Sequence, residues 1–228
     1  MCGRYTLHHS IAAIADYYDV DHVTVAPRPR YNIAPGQPAT VIVQQAQRTV
    51  EAFRWGLIPF WARDARIGNR LINARAETVA TKPAFRAAFK RRRCLLPASG
   101  FYEWRQTASG KVPTKVPIYV CPPDQRPLAL AGLWEEWLSP EDEVVHTCTI
   151  ITTAANELLA PIHPRMPVIL EPPAAFSWLA ADTSRENLQA LLQPYPSPRL
   201  TAYPVSTRVN APGYDAPDCI EPSPPPGE

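Results

Sequence analysis

Short runs of apolar and β-branched residues, separated by Gly, Pro or charged turns, recur along most of the chain. They predict strands at "ATVIVQQ", "VEAFRWGLIP", "CLLPASGFYEW", "KVPIYV", "LALAGLWEEW" and "HTCTIITTA". Helical patterns lie between them at "KPAFRAAFKRR", "PAAFSWLA" and "SRENLQALLQ". Ser10 predicts the N-cap of a further short helix through "IAAIADYY". The pattern therefore indicates an α+β fold in which a largely antiparallel sheet curls on itself, barrel-like, with short helices beside it.

The chain of 228 residues is long enough to bury a full core, and nothing in its middle resembles a linker. We therefore expect one domain over residues 1–221, followed by a Pro-rich, disordered tail over residues 222–228. The Pro-rich stretch "APRPRYNIAPGQP" predicts an ordered or extended loop. Every apolar run is shorter than the roughly 18 to 20 residues that a membrane span needs, so no membrane partner is expected.

Charge is distributed unevenly, although the net charge is only +2. Residues 1–115 contain 18 Lys and Arg against 7 Asp and Glu, whereas residues 116–228 contain 5 against 14. This asymmetry is typical of a protein that binds a polyanion on one face, but pairing of the two halves with each other explains it equally well. The five cysteines are odd in number, scattered and never spaced as CxxC, which argues against a disulfide framework or a zinc cluster and favours the reducing cytosol.

Cys2 directly follows the initiator methionine. If Met1 is removed, Cys2 carries a free α-amine and a thiol on neighbouring carbons, with ordinary pKa values of about 8 and about 8.5. An aldehyde is the natural target of this pair, because the amine forms an imine and the thiol can then close a five-membered thiazolidine. The alternative is that Cys2 is a small buried residue at a tethered terminus.

Several polar residues could handle protons or bind anions. In "GFYEW" the aromatic neighbours of Glu103 could raise its pKa and let it act as acid and base in turn, unless it is an outward carboxylate in an ion pair. His163 lies in a stiff loop between two prolines, which suits either an imidazole aimed at one atom or an ordinary loop histidine. In "INARAET" the alternation puts Asn73, Arg75 and Glu77 on one strand face, where Asn73 could hold an amine and Arg75 a phosphate, or all three could be simply exposed.

The segment "WGLIPFW" contains three large aromatic residues, Trp55, Phe60 and Trp61. Because the segment is strongly apolar, we expect two of the three to lie in the core. Trp61 is followed by charged residues, so it is the candidate for stacking on a nucleic-acid base.

Taken together, these pieces resemble the SRAP family (SOS response-associated peptidase), whose members are also described as abasic-site processing proteins. The matching stretches cover nearly the whole chain in family order: "MCGRY", "RYNIAPGQ", "WGLIPFWARD", "INARAET", "RRCLLPASGFYEW", "AGLWE", "TIITTAAN", "IHPRMPVIL" and "PDCIEP". The resemblance starts at Cys2 and includes every candidate position named above.

The resemblance implies a sensor that captures abasic sites in single-stranded DNA as a covalent thiazolidine crosslink at Cys2, with AP-lyase chemistry as a side activity. It implies catalytic roles for Cys2, Asn73, Glu103 and His163, with no cofactor and no metal. The family's DNA-contacting positions correspond to Arg4, Pro35, Phe60, Trp61, Arg75, Thr152 and Arg165. We expect a cytoplasmic monomer, nucleoid-associated if the source is bacterial, whose partners at a replication fork remain open.

Two other functions remain open. Cys2 could be the nucleophile of an N-terminal-cysteine peptidase that acts on the Met1 bond, although the sequence shows no clear motif for the oxyanion hole that peptide hydrolysis needs. The chain could also be a non-catalytic module that binds single-stranded DNA through its basic half, but this function gives Cys2 no purpose.

Overall fold

The computed structural model describes residues 2–107 and 114–223, and these form fourteen strands and four α-helices. The strands are β1 Tyr5–Leu7, β2 His22–Val23, β3 Arg30–Ile33, β4 Pro38–Gln44, β5 Arg48–Trp55, β6 Asn73–Arg75, β7 Arg93–Ala98, β8 Gly100–Thr107, β9 Thr114–Cys121, β10 Leu128–Leu138, β11 Val144–Ala154, β12 Arg165–Pro167, β13 Ile169–Leu170 and β14 Thr201–Pro204. The helices are α1 Ile11–Tyr17, α2 Arg86–Arg91, α3 Pro172–Leu179 and α4 Arg185–Ala190.

The strands form two sheets, and the larger sheet closes on itself. Its order is β12-β11-β10-β7-β4-β5-β2, and β5 also pairs in parallel with β11 through Arg54 and Thr147. Strands β11, β10, β7, β4 and β5 thus form a closed ring, which leaves none of these five strands as a free edge. The smaller sheet has the order β14-β9-β8-β1-β3. The predicted α+β fold with a curled, largely antiparallel sheet is confirmed.

The predicted strand "CLLPASGFYEW" is two strands that belong to different sheets. The chain leaves the larger sheet at the end of β7 and enters the smaller sheet at the start of β8. Ser99 stands at the crossing, where its N–H donates to the Thr6 carbonyl at 2.7 Å and its hydroxyl accepts from the His8 N–H at 2.9 Å. The apolar pattern runs unbroken through the crossing because residues on both sides are buried.

Individual residues determine where several helices and strands begin or end. Ser10 caps α1 as predicted, since its Oγ accepts from the Ala13 N–H at 3.2 Å. Strand β5 stops at Trp55, earlier than predicted, because Gly56 has a φ of 125° and a Cβ there would lie 2.8 Å from the Gly68 carbonyl oxygen. The Pro-rich stretch expected to be a loop contains β3, which pairs with β1.

The C-terminal segment continues to pair with the smaller sheet beyond the predicted domain end. Pro222 forms a bridge with Val205, and the Ser223 N–H donates to the Pro204 carbonyl at 3.0 Å. The rest of the predicted tail, residues 224–228, lies outside the described residues. Among the helices that are described, none is long and apolar enough to cross a membrane.

Candidate functional site

Cys2 lies at the start of β1, beside the strand that carries Glu103. Tyr5 pairs with Phe101 in antiparallel register, and the Tyr102 N–H donates to the Arg4 carbonyl at 3.0 Å. Continuing this register brings the chain at residues 2–3 alongside Glu103. The Cys2 side chain is fully buried in the main core, and this burial, followed by the Glu103 charge, raises the pKa of its thiol far above the ordinary value. The thiol is therefore protonated at neutral pH.

Asn73 contacts Cys2 directly. It lies on β6, which pairs in parallel with β11, and its Nδ2 donates to the Cys2 carbonyl at 3.1 Å and to the Ile72 carbonyl at 3.0 Å. Its Oδ1 is buried and has no hydrogen-bond partner among the described residues. A buried amide acceptor without a partner is unfavourable, and an amine on Cys2 is the kind of donor that would satisfy it.

Glu103 is a buried carboxyl group in the middle of β8. Its residue is 2% exposed, and burial raises its pKa from 4.5 to about 7. A carboxyl group with this pKa can accept and return a proton near neutral pH, which is the property expected of a general acid and base. Of the two alternatives left open for Glu103, the structure favours the buried carboxyl group with a raised pKa.

His163 lies in the loop that leads into β12. Its Nδ1 lies 3.0 Å from the Arg165 backbone nitrogen and 3.1 Å from the Arg165 carbonyl oxygen, so the backbone of Arg165 orients the ring. Burial is the main cause that lowers the pKa of His163 below 6.5, and nearby cations add to it. At neutral pH the ring is therefore mostly neutral.

Glu103 and His163 line one cleft of about 810 Å³. The other residues in its wall are Trp104, Gln106, Lys115, Pro161, Ile162, Pro164 and Asn210. Asn73 bonds Cys2, and the Glu103 charge acts on the Cys2 thiol, so Cys2 and Asn73 lie next to Glu103, while Glu103 and His163 form part of the cleft wall.

Three of the predicted DNA-contacting residues lie together on neighbouring strands. Arg75 on β6 is in register with Thr152 on β11, and β11 pairs on its other side with β12, which begins at Arg165. Arg165 forms a bidentate pair with Glu77 at 2.5 and 3.0 Å and donates to the Thr152 carbonyl at 2.5 Å. Strand β6 ends at Arg75, so the prediction that Glu77 continues the strand face is wrong. Arg75 is exposed and donates no hydrogen bond to any residue of the described ranges.

Arg4 belongs to a different network, in which it contacts protein groups. Its guanidinium donates to Asn32 Oδ1 at 2.8 Å, to the Val209 carbonyl at 2.6 Å and to the Asn210 carbonyl at 3.3 Å. Asn32 is fully buried, and its Nδ2 also donates to the Val209 carbonyl, at 3.1 Å. Arg4 thus fastens the segment that follows Cys2 to the chain at 209–210.

The aromatic residues of "WGLIPFW" are arranged differently from the prediction. Trp55 is fully buried, but Phe60 and Trp61 are 59% and 49% exposed, so one of the three is in the core where two were expected. Two exposed aromatic side chains on one turn are available for base stacking. Pro35 is half-buried in the turn after β3, where Gly36 donates to the Trp55 carbonyl at 2.7 Å.

Ion pairs within the protein account for part of the charge difference between the basic first half and the acidic second half of the chain. Arg30 pairs with Asp215, and Arg92 with Glu135, so some basic residues of the first half do meet acids of the second. Others, including Arg63, Arg70 and Arg75, are exposed and form no ion pair within the described part of the chain. Within the same ranges, no group of three or more His, Cys, Asp or Glu side chains could hold a metal ion.

Sequence reasoning missed three residues of the cleft wall: Trp104, Lys115 and Asn210. Trp104 was visible in "GFYEW" as the neighbour of Glu103, but an aromatic residue in a strand is usually core. Lys115 and Asn210 have no local signal, because they reach the cleft through the β8–β9 pairing and the path of the chain near its C-terminus.

Comparison with known proteins gave consistent matches over the whole chain. The profile of the family described as SOS response associated peptidase (SRAP) matches residues 1–212. The abasic site processing protein YoqW of Bacillus subtilis (strain 168) is 42% identical over 225 residues, covering 97% of this chain and 99% of that protein. The abasic site processing protein HMCES of Gallus gallus is 32% identical over 228 residues, covering 86% of this chain and 66% of that protein.

Solved structures show the same fold. A crystal structure of a protein from Bacteroides thetaiotaomicron superimposes with a TM-score of 0.84 at 27% identity, covering 97% of this chain and all 100% of that chain. A crystal structure of a protein from Bordetella bronchiseptica gives a TM-score of 0.76 at 28% identity, covering 90% of this chain and 100% of that chain.

Proposed function

Since the chain belongs to the SOS response associated peptidase (SRAP) family, we propose that it processes abasic sites in single-stranded DNA by capturing them covalently at Cys2. Its relatives YoqW and HMCES are named abasic site processing proteins. The observation that carries the proposal is the contact between Asn73 and Cys2. The Asn73 Nδ2 donates to the Cys2 carbonyl, and the Asn73 Oδ1 is a buried acceptor that could receive a hydrogen bond from an amine on Cys2. The neighbouring Glu103 carboxyl group has a pKa of about 7.

The chemistry requires that Met1 is removed, so that Cys2 has a free amine. The amine attacks the aldehyde carbon of the ring-opened sugar, and loss of one water leaves an imine. The Cys2 sulfur then bonds to the imine carbon, while its proton moves to the nitrogen, which gives a thiazolidine. One aldehyde, one amine and one thiol are consumed, and one water is released.

The residues around Cys2 position the amine, transfer protons or bind the DNA in these steps. Asn73 Oδ1 accepts from the amine and directs its lone pair towards the aldehyde carbon. Glu103, with its pKa of about 7, takes a proton from the amine and returns it to the departing water. His163 donates a hydrogen bond to the sugar ring oxygen as the ring opens. Arg75 is exposed and would meet a DNA phosphate directly, whereas Arg165 would first exchange its pair with Glu77 for a phosphate.

The buried thiol explains why the amine acts first. Because burial raises the thiol pKa, little thiolate is present at neutral pH, so sulfur is a poor first nucleophile. Once the imine has formed, its carbon is a stronger electrophile and lies one bond from the Cys2 nitrogen, so the thiol can close the ring. If closure fails, the imine can lose the 3′ phosphate by β-elimination, which is the AP-lyase side activity.

The family description favours peptidase activity as a second candidate. It would require a Cys2 thiolate that attacks the Met1 carbonyl, and the raised thiol pKa opposes this step. Removal of Met1 by such a reaction would in any case produce the amine that aldehyde capture needs.

A denaturing gel tests the proposal. The protein is incubated with two single strands of the same sequence, one with a natural abasic site and one intact. We expect a slow-migrating covalent band with the abasic strand, and none with the intact strand or with Cys2→Ala. Intact mass should show that the competent protein begins at Cys2. Absence of the band from a protein whose N-terminus is Cys2 would refute the proposal, and a peptidase would release Met1 without forming any band.

A further inference from the structure

The cleft that contains Glu103 and His163 extends well beyond those two residues. Its volume of about 810 Å³ lies in the range of pockets that enclose whole drug-sized ligands, whereas a ring-opened deoxyribose needs only the part beside the buried carboxyl group. The proposed capture gives no role to the outer part, whose walls include Trp104, Gln106, Lys115, Ile162 and Asn210.

The Trp104 indole is held in a fixed orientation at this outer part. Its Nε1 donates to Asn210 Oδ1 at 2.7 Å, and it packs against the buried cluster that contains Tyr102. Asn210 is in turn fastened through its carbonyl, which accepts from Arg4 at 3.3 Å. An aromatic ring that is fixed before binding loses little entropy when a flat ligand stacks on it.

A cation lies on the same side of the β8–β9 hairpin as this ring. Trp104 and Gln106 are alternate residues of β8, so they face the same way, and Lys115 on β9 is directly opposite Gln106. Lys115 is exposed, and its charge is near enough to contribute, after burial, to the lowered pKa of His163. Lys115 thus lines the same cleft as His163.

We propose that the outer part of the cleft is a nucleotide subsite, in which the base next to the abasic residue stacks on Trp104 and the phosphate joining the two nucleotides meets Lys115. This inference rests on the proposed function and names what the cleft recognises beyond the damaged sugar. A fixed aromatic ring beside a cation is the combination that binds single-stranded nucleic acid, and stacking tolerates any base because every base has a π face. The subsite holds the strand so that the abasic sugar lies between Glu103 and His163.

Binding to strands that cannot react provides the test. The probe is a fluorescent single strand with one central tetrahydrofuran residue, which mimics the closed abasic sugar but has no aldehyde. In two further strands, the nucleotide on one side or the other is replaced by a second tetrahydrofuran. For the unmodified protein, we expect removal of the base on one side to weaken binding by about 5-fold to 150-fold, the value of one stacked base, and removal on the other side to have a much smaller effect.

Variants assign this loss to Trp104. Trp104→Leu should bind all three strands with equal affinity, whereas Trp104→Phe, which keeps a ring face, should still discriminate. Phe176→Leu, which replaces a half-buried aromatic residue of α3 that does not line this cleft, is the matched control and should discriminate between the strands like the unmodified protein. Lys115→Gln should also discriminate, but its affinity should depend less steeply on salt, by about 0.7 in the logarithmic slope for one phosphate.

Two results would overturn the subsite. One is a Trp104→Leu variant that still binds the three strands with different affinities. The other is an unmodified protein whose binding is weakened equally by removal of either neighbouring base from the strand. Should Trp104→Leu not fold, the salt dependence of Lys115→Gln decides the question, since a slope equal to that of the unmodified protein would overturn the subsite. Because the binding assay involves no chemistry, its result is independent of covalent capture. A protein that forms the crosslink without discriminating refutes the subsite alone, and one that discriminates without forming the crosslink refutes the proposed function.

Discussion

Replacing Glu103 by Gln should make the folded protein more stable above neutral pH while it removes the group that moves protons. Glu103 is 2% exposed, and its pKa in the folded protein is about 7, against 4.5 for an ordinary glutamate. Below pH 4.5 the carboxyl group is protonated in both the folded and the unfolded chain. As the pH rises from 4.5 to 7, the unfolded chain releases this proton first, so the folded state loses stability relative to the unfolded state.

The size of the effect follows from the two pKa values. Each pKa unit corresponds to about 1.36 kcal/mol, so the difference between about 7 and 4.5 amounts to about 3 kcal/mol once the pH exceeds 7. Gln has nearly the same shape and no charge to bury. Glu103→Gln should therefore exceed the unmodified protein in free energy of unfolding by less than about 1 kcal/mol at pH 5 and by about 3 kcal/mol at pH 8.

Urea unfolding, followed by tryptophan fluorescence at pH 5, 6, 7 and 8, measures this difference. Glu141→Gln, which removes one negative charge from an exposed turn, is the matched control and should show a nearly constant difference across the series. Covalent capture by Glu103→Gln should be slower by roughly 100-fold to 10,000-fold at the same time. A stability difference that does not grow between pH 5 and pH 8 would show that the Glu103 carboxyl group has an ordinary pKa, and the argument for its role would fail.

Three further predictions concern other residues of the site. Cys2→Ala keeps the amine but not the thiol, so borohydride should still trap an imine while the durable crosslink is lost; failure to trap anything would exclude the amine as first nucleophile. Arg75→Ala should reduce the logarithmic salt dependence of DNA binding by about 0.7, whereas Arg4→Ala should leave this slope unchanged and reduce the free energy of unfolding by roughly 2 to 3 kcal/mol, because Arg4 donates to protein groups. His163→Ala should slow capture by roughly 100-fold or more at saturating DNA without changing affinity, and higher pH should rescue it less than it rescues Glu103→Gln; equal rescue would contradict its role as a hydrogen-bond donor.

The fold could be predicted from the sequence wherever a pattern reports a local environment. The Ser10 cap and the long β-branched runs of β10 and β11 are local in this sense, and both were found. The pattern of apolar and polar residues along a strand does not indicate which sheet the strand joins. The crossing at Ser99 was therefore hidden inside a single apolar run, and the closure of the ring through β5 and β11 could be anticipated only as a general curling of the sheet.

The candidate site was predicted less evenly. The chemistry of Cys2, Asn73, Glu103 and His163 singles them out in the sequence, and in the structure Asn73 contacts Cys2 while Glu103 and His163 share one cleft wall. Arg4 carries a charge that suits a phosphate, but charge alone does not reveal that the Val209 and Asn210 carbonyls accept from its guanidinium. The sequence indicates which side chains could bind or react with a ligand. It does not indicate which of them are already hydrogen-bonded within the protein, because such bonds can join residues more than 200 positions apart, as Arg4 and Val209 are.

The neighbourhood of Cys2 contains several groups whose burial is unfavourable in the resting protein. Burial raises the pKa of the Cys2 thiol and of the Glu103 carboxyl group, and Asn73 Oδ1 has no partner among the described residues. Each of these arrangements would become favourable if a charged amine formed beside it, since the amine would donate to Asn73 and pair with ionised Glu103. The rest of the fold, a closed ring of strands around one large core, supplies the stability that tolerates them. A surface that only binds DNA gives no reason to bury several unfavourable polar groups in one place. A site that must hold a reactive amine gives such a reason, because the amine would satisfy these groups.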